Sequence, residues 1–276
     1  MEKFCSSASQ LEVIRSKSAF ICDMDGVIYH GNRILPGAIE FITWLQKSNK
    51  RYLFLTNSSE RSAYELHLKM KRLGITIDPS HFYTSALATA GFLATQVPQG
   101  TAYVIGEAGL INALYDAGYS MNDVNPDYVV VGESKTYSFE TVTKAVSLVR
   151  KGARLIGTNP DTSGPSEEGL IPATGSLILP IAKTAGVEPY FIGKPNPVMM
   201  RQALKRLETK REETAIIGDR MDTDIVSGIE AGIDTVLVLS GVSDVDTPKV
   251  FAYRPSLVLD SVGTISEGLN ELMEDK

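Results

Sequence analysis

Cysteine is nearly absent from this chain. Cys5 and Cys22 are the two among 276 residues, and no Cys-x-x-Cys spacing occurs. Zinc ribbons and dithiol redox chemistry are therefore excluded, and both residues are read as reduced thiols. Histidine is as sparse: His30, His67 and His81 are scattered without metal-ligand spacing and are expected at surface or hydrogen-bonded positions. Positive charge is not in excess either. With 27 Lys and Arg against 33 Asp and Glu the net charge is −6, which opposes a grip on nucleic acid through its backbone phosphates. No segment approaches about 18 continuous apolar residues, and the N-terminus lacks the apolar core of a secretory signal; no membrane association and a cytoplasmic location are expected. Gly-x-Ser-x-Gly, Gly-x4-Gly-Lys-[Ser/Thr] and Gly-x-Gly-x-x-Gly are all missing, which removes the serine-hydrolase, P-loop and dinucleotide readings.

What the chain does contain is alternation. Apolar, β-rich runs recur between helix-period segments: Ala19–Cys22, Tyr52–Leu55, Ala102–Ile105, Tyr128–Val131, Arg154–Gly157, Tyr190–Ile192, Thr214–Ile217, Thr235–Val238 and Leu257–Leu259. Such βα units cross over right-handedly into a parallel sheet, so the fold class is α/β. Helices are expected from about Pro36, after Ser58 up to Leu73-Gly74, and after Ser261.

Four polar signatures sit at the ends of such strands: Asp23-Met24-Asp25-Gly26, Thr56-Asn57, Gly193-Lys194-Pro195 and Gly218-Asp219-Arg220-Met221-Asp222-Thr223-Asp224. Open α/β sheets bind ligands at that edge. Asp23 and Thr56 are one βα unit apart, as are Lys194 and Asp219, but far more chain separates Thr56 from Lys194 than a crossover needs. A discontinuous Rossmann-like core of residues 1–85 and 187–276, interrupted by an inserted α/β cap at 86–186, accounts for this spacing. An insert so placed can act as a lid.

The chemistry permitted is phosphoryl transfer. If the first strand persists through Asp25, Asp23 and Asp25 face one side; one carboxylate can then attack phosphorus while the other protonates the leaving alcohol. Thr56-Asn57 offers a hydroxyl, an amide and backbone N–H groups to phosphate oxygens. Lys194, held extended before Pro195, can offset anion–anion repulsion. Asp219, Asp222 and Asp224 behind one apolar strand are costly unless a hard cation such as Mg2+ is bound.

With these motifs, and with Phe82–Ala86, Asp123–Asp127, Thr158–Asp161 and Leu239–Val242, the chain resembles the haloacid dehalogenase superfamily of phosphatases, specifically its NagD-like subgroup with a large α/β cap. The resemblance implies Asp23 as nucleophile, Asp25 as general acid/base, Thr56 and Asn57 as the phosphate-holding pair and Lys194 as the charge-balancing lysine. It implies Mg2+ held by Asp23, Asp219 and the backbone carbonyl of Asp25, with Asp224 in the outer sphere and Arg220, Met221, Asp222 and Thr223 along the substrate side. The expected partner is a small phosphorylated metabolite, in first place a nucleoside monophosphate, with sugar phosphates, phosphoglycolate and pyridoxal phosphate as alternatives and a homodimer through the cap. Asn159, Asp161 and Thr174-Gly175-Ser176 are candidates to face the leaving group. A phospho-aspartate signalling module is the alternative of another class.

Overall fold

The computed structural model describes residues 8–166 and 169–269, so Cys5, Glu167, Glu168 and the last seven residues lie outside the described part. The chain divides into two compact units. The first comprises the described residues of Met1–Leu55, Met70–Ile77 and Met200–Lys276, and the second Thr56–Lys69 and Asp78–Met199.

In the first unit five strands lie side by side in the order Leu257–Leu259, Asp234–Val238, Thr214–Gly218, Ala19–Cys22 and Arg51–Thr56, every adjacent pair parallel. Ala19–Cys22 is buried along its whole length, as a central parallel strand covered on both faces must be. Helix Ala38–Lys47 supplies part of that cover: Phe41 and Trp44 meet Phe20 edge-on, with ring centroids 6.2 and 5.4 Å away, an arrangement that adds roughly 0.5–1.5 kcal/mol per pair beyond area burial.

Two local features were not legible. The stretch before Lys17, which matches nothing in the resemblance, forms helix Ala8–Ser16, tied down by Ile14 in the core and by Arg15 donating to the carbonyls of Ile265, Thr264 and Glu267. The first strand stops at Cys22 instead of persisting through Asp25. The Met24 carbonyl accepts the Ile28 and Tyr29 N–H groups at 2.9 and 3.2 Å, and Gly26 adopts φ +79°, so the chain turns there into a short hairpin of Tyr29–His30 with Arg33–Ile34. Asp23 and Asp25 therefore do not share a face through strand alternation.

The second unit holds its own parallel sheet, in the order Tyr190–Phe191, Arg154–Gly157, Tyr128–Val131, Thr101–Ile105 and Ser120–Met121. Tyr190–Phe191, which sequence position groups with the last set of strands, pairs instead with Arg154–Gly157 at this sheet's edge; two residues carry no period by which to assign them. Val129, Val131 and Leu155 pack on Leu148, Ile178 and Ile181 of the covering helices. Helix Phe139–Arg150 starts with a reciprocal cap between Ser138 and Thr141. Ser163–Ser166 and Gly169–Pro172 pair as an antiparallel hairpin. Among the described residues no helix is long and apolar enough to cross a membrane.

Tyr119 anchors one end of this unit: its buried hydroxyl lies 2.8 and 2.7 Å from the Leu93 and Val97 carbonyls and shares its one proton between them. Tyr119→Phe takes this donor from the Val97 carbonyl, while the Leu93 carbonyl keeps the Val97 N–H at 2.9 Å, and is expected to lower stability by about 1–3 kcal/mol in urea unfolding. Burial also pushes the phenol pKa up to about 12. Unfolded chains thus ionise first, and the Tyr119 contribution, intact below pH 10, is expected to disappear between pH 10 and about 12, with the Tyr119→Phe chain showing a flatter alkaline limb.

Candidate active site

Asp23 and Asp219 follow neighbouring parallel strands. The ladder between Ala19–Cys22 and Thr214–Gly218 runs one residue past Cys22, where the Asp23 N–H reaches the Ile217 carbonyl at 2.8 Å. Both carboxylates are therefore delivered to the same sheet edge. A turn of π-helix, Met221–Ile225, then brings Asp224 back toward them. One oxygen from each of Asp23, Asp219 and Asp224 lies within 4.8 Å of the other two, and Asp219 and Asp224 are only 3% and 1% exposed.

Backbone groups fix this trio. Asp219 Oδ2 accepts the Val242 N–H at 2.7 Å, and Asp224 Oδ2 accepts the Arg220 N–H at 3.1 Å. The Asp219 carboxylate lies between Gly26 and Gly241, where a Cβ on either residue would overlap it; the Ser240 hydroxyl, donating to the Gly26 carbonyl at 2.8 Å, links the two loops. Gly241→Ala should push Asp219 aside and lower kcat/KM by about 100-fold, the order of loss from a 1 Å misplacement, with the melting temperature showing whether the fold survives.

Three like charges at this spacing repel by on the order of 3 kcal/mol per pair even at an effective dielectric constant near 20. A divalent cation removes that repulsion, and an all-oxygen donor set suits a hard ion of the Mg2+ or Ca2+ type rather than zinc or copper. The residues present fit such a group. Asp25 is not part of the trio: its half-exposed carboxylate sits 3.3 Å from Nδ1 of exposed His30, on the hairpin that follows.

The other expected residues divide sharply. Arg220 and Asp222 form a two-point fork, Nε to Oδ1 at 3.0 Å and Nη2 to Oδ2 at 2.8 Å, and that hydrogen bonding holds the Asp222 carboxyl below the usual carboxylate range. Met221, expected along the substrate side, packs into the core with Ile225 and Leu237. Thr223 is buried as well, its carbonyl taking the Ser227 hydroxyl. Within the π-turn Met221–Ile225, Met221, Thr223, Asp224 and Ile225 are buried and Asp222 is exposed.

Thr56, Asn57 and Lys194 belong to the second unit. Thr56 Oγ1 accepts the Ser58 N–H at 3.1 Å, a local turn bond. Lys194 is 3% exposed and precedes a cis peptide to Pro195. The Asn57 carboxamide is directed at the Lys194 backbone and at Asp161. Asn159 does not face a leaving group: it is wholly buried, with its amide on Glu133 and the Asn57 carbonyl. Thr174 and Ser176 are likewise committed, to Thr158 and to the Thr162 carbonyl. Glu133 was invisible in the sequence, having no motif around it.

The chain matches the family described as haloacid dehalogenase-like hydrolase over residues 20–120 and a HAD-hydrolase-like family over residues 191–265. It is 48% identical over 249 residues to dihydroxyacetone phosphatase of Corynebacterium glutamicum, covering 90% of each chain. To the ribonucleotide monophosphatase NagD of Escherichia coli K12 it is 44% identical over 245 residues, 89% of this chain and 96% of the relative. The solved structure of that NagD superposes with a TM-score of 0.85 over 90% of this chain and 98% of its own. A glycerol phosphate phosphatase from Mycobacterium tuberculosis, solved in complex with magnesium, gives 0.87 at 28% identity, covering 92% and 78%. With relatives this similar over nearly its whole length, and with the acidic trio they lead one to expect, the chain belongs to the haloacid dehalogenase-like hydrolases and is a phosphatase of their NagD-like branch.

Proposed function

We propose that this phosphatase hydrolyses a small phosphate monoester in two steps through an aspartyl phosphate on Asp23, with Mg2+ as its ion. The observation that carries the reading is the trio of partly exposed Asp23 with buried Asp219 and Asp224 at the end of two adjacent parallel strands, with Asp25 two residues beyond Asp23. Asp23 attacks phosphorus; Asp25 protonates the departing oxygen and then, as a base, takes a proton from the water that hydrolyses the intermediate. Asp23 and Asp219 would hold the ion together with the Asp25 carbonyl, and Asp224 orients that shell. Bound there, the cation neutralises the carboxylates and withdraws charge from the transferring phosphoryl group. Lys194 supplies the remaining positive charge, Thr56 and the backbone around Asn57 hold phosphate oxygens, and the Arg220–Asp222 fork lines the substrate side. The insert at 86–186 serves as the cap that selects the leaving group.

For the substrate class we favour nucleoside monophosphates, in keeping with the similarity to a ribonucleotide monophosphatase. A second reading, a triose phosphate, has the 48% identity to dihydroxyacetone phosphatase in its favour. The signalling alternative draws no support from relatives that carry phosphatase names. Release of free phosphate from nucleoside 5′-monophosphates, dihydroxyacetone phosphate, glycerol phosphate, hexose phosphates, phosphoglycolate and pyridoxal phosphate decides between them. The expected result is a kcat/KM for a nucleotide at least about tenfold above every other compound. A triose phosphate in first place transfers the assignment to the second reading, and turnover of none of them overturns both.

A further inference from the structure

Asn57 was expected to offer its carboxamide to phosphate, but the structure uses that group on another residue. Asn57 Oδ1 accepts the Lys194 N–H at 2.7 Å, while Nδ2 donates to the Lys194 carbonyl at 2.9 Å and to Asp161 Oδ2 at 2.9 Å. One planar amide thus grips both backbone polar groups of a single lysine, and its two donors and its acceptor are engaged.

A second carboxamide stands behind the first. Asn159 Nδ2 donates to the Asn57 carbonyl at 2.8 Å and to Glu133 Oε1 at 2.7 Å, and Asn159 Oδ1 accepts the Asp161 N–H at 3.1 Å. Glu133 is held through Oε2 by the Ser59 N–H at 2.9 Å and by the Ser59 hydroxyl. The Ser85 hydroxyl adds a further bond to the Asn57 carbonyl.

The sense of every amide in this chain is forced. A backbone carbonyl only accepts and an N–H only donates, so Asn159 must turn its nitrogen to the Asn57 carbonyl and its oxygen to the Asp161 N–H, and Asn57 can bind Lys194 in one orientation alone. Glu133 closes the series with both its carboxyl oxygens hydrogen-bonded. Packing alone would be served by an apolar residue at 133, without the penalty of desolvating a carboxylate.

We propose that Glu133, Asn159 and Asn57 are positioning residues that fix the backbone of Lys194, and that the Asn57 side chain acts through Lys194 rather than on phosphate. The proposal rests on the charge-balancing role given to Lys194 above. Lysine carries its charge on a flexible four-carbon stem, so an ammonium that must meet developing charge benefits from a main chain held on both sides.

The test is a double-mutant cycle of Asn57→Ala, Lys194→Ala and the combined variant. Affinity for inorganic phosphate is measured by calorimetry and turnover of p-nitrophenyl phosphate on the same preparations. Asn57→Ala is expected to weaken phosphate binding and kcat/KM by roughly 10- to 100-fold, and to add no more than about twofold to the loss in Lys194→Ala. Losses that multiply in the combined variant overturn the proposal, as does Asn57→Ala binding phosphate like the parent. Parental phosphate binding and turnover in Lys194→Ala is a different failure, that of the charge-balancing role itself. Should Asn57→Ala not fold, Asn159→Ala replaces it, and its loss must vanish in the Lys194→Ala background in the same way.

Discussion

Asp23→Asn is expected to reduce p-nitrophenyl phosphate turnover by about 10⁴-fold or more while leaving the chain folded, the scale seen when a nucleophile is removed from a unit that works together. The amide has nearly the shape of the carboxylate and keeps the backbone bond to Ile217, so the loss measures nucleophilicity and not collapse. A second readout separates the two. In the metal-free protein the substitution removes one of three mutually repelling charges from a close cluster, and the variant should melt no lower than the parent. Retention of more than about 1% of parental turnover would remove Asp23 from its assigned role, whatever the melting curve shows.

Chelation is the second large effect. Exhaustive treatment with EDTA should take turnover to background, and Mg2+ added back should restore it. The same titration has a thermodynamic face: an ion bound only by the folded chain stabilises it by about 4 kcal/mol at 1,000 times its dissociation constant, seen as a rise of several degrees in melting temperature. Asp219 is 3% exposed and held by the Val242 N–H, so Asp219→Asn should lose both the rise and the turnover without disturbing the strands around it. A parent protein indifferent to chelator in rate and in melting temperature would contradict the ion-binding role of the trio.

Much of this was open to reading in the order of residues, and the exceptions have identifiable causes. Strands such as Tyr128–Val131 and Leu257–Leu259 were found at their observed limits because continuous apolar, β-branched runs bounded by turns leave few alternatives. Helix Ala8–Ser16 was missed because its anchor is Arg15 on carbonyls some 250 positions away. The extended run through Asp25 failed for a local reason, a turn closed on one carbonyl at Met24. Asn159 and Thr174, guessed to face the leaving group, are instead bonded to Glu133 and Thr158, which follow two adjacent strands of the same sheet.

The sequence by itself determined the α/β class, the identity of Asp23, Asp25, Lys194 and Asp219 as the residues to watch, and the acidic, oxygen-only chemistry open to a metal. Those are properties of periodicity and residue type, which survive in one dimension. Tertiary structure alone decided that Gly241 makes room for a carboxylate and that Asn57 spends its amide on Lys194. Hydrogen bonds and close approaches of that kind depend on angles and on distances under about 3.5 Å between residues far apart in the chain, and nothing in their spacing along it records them.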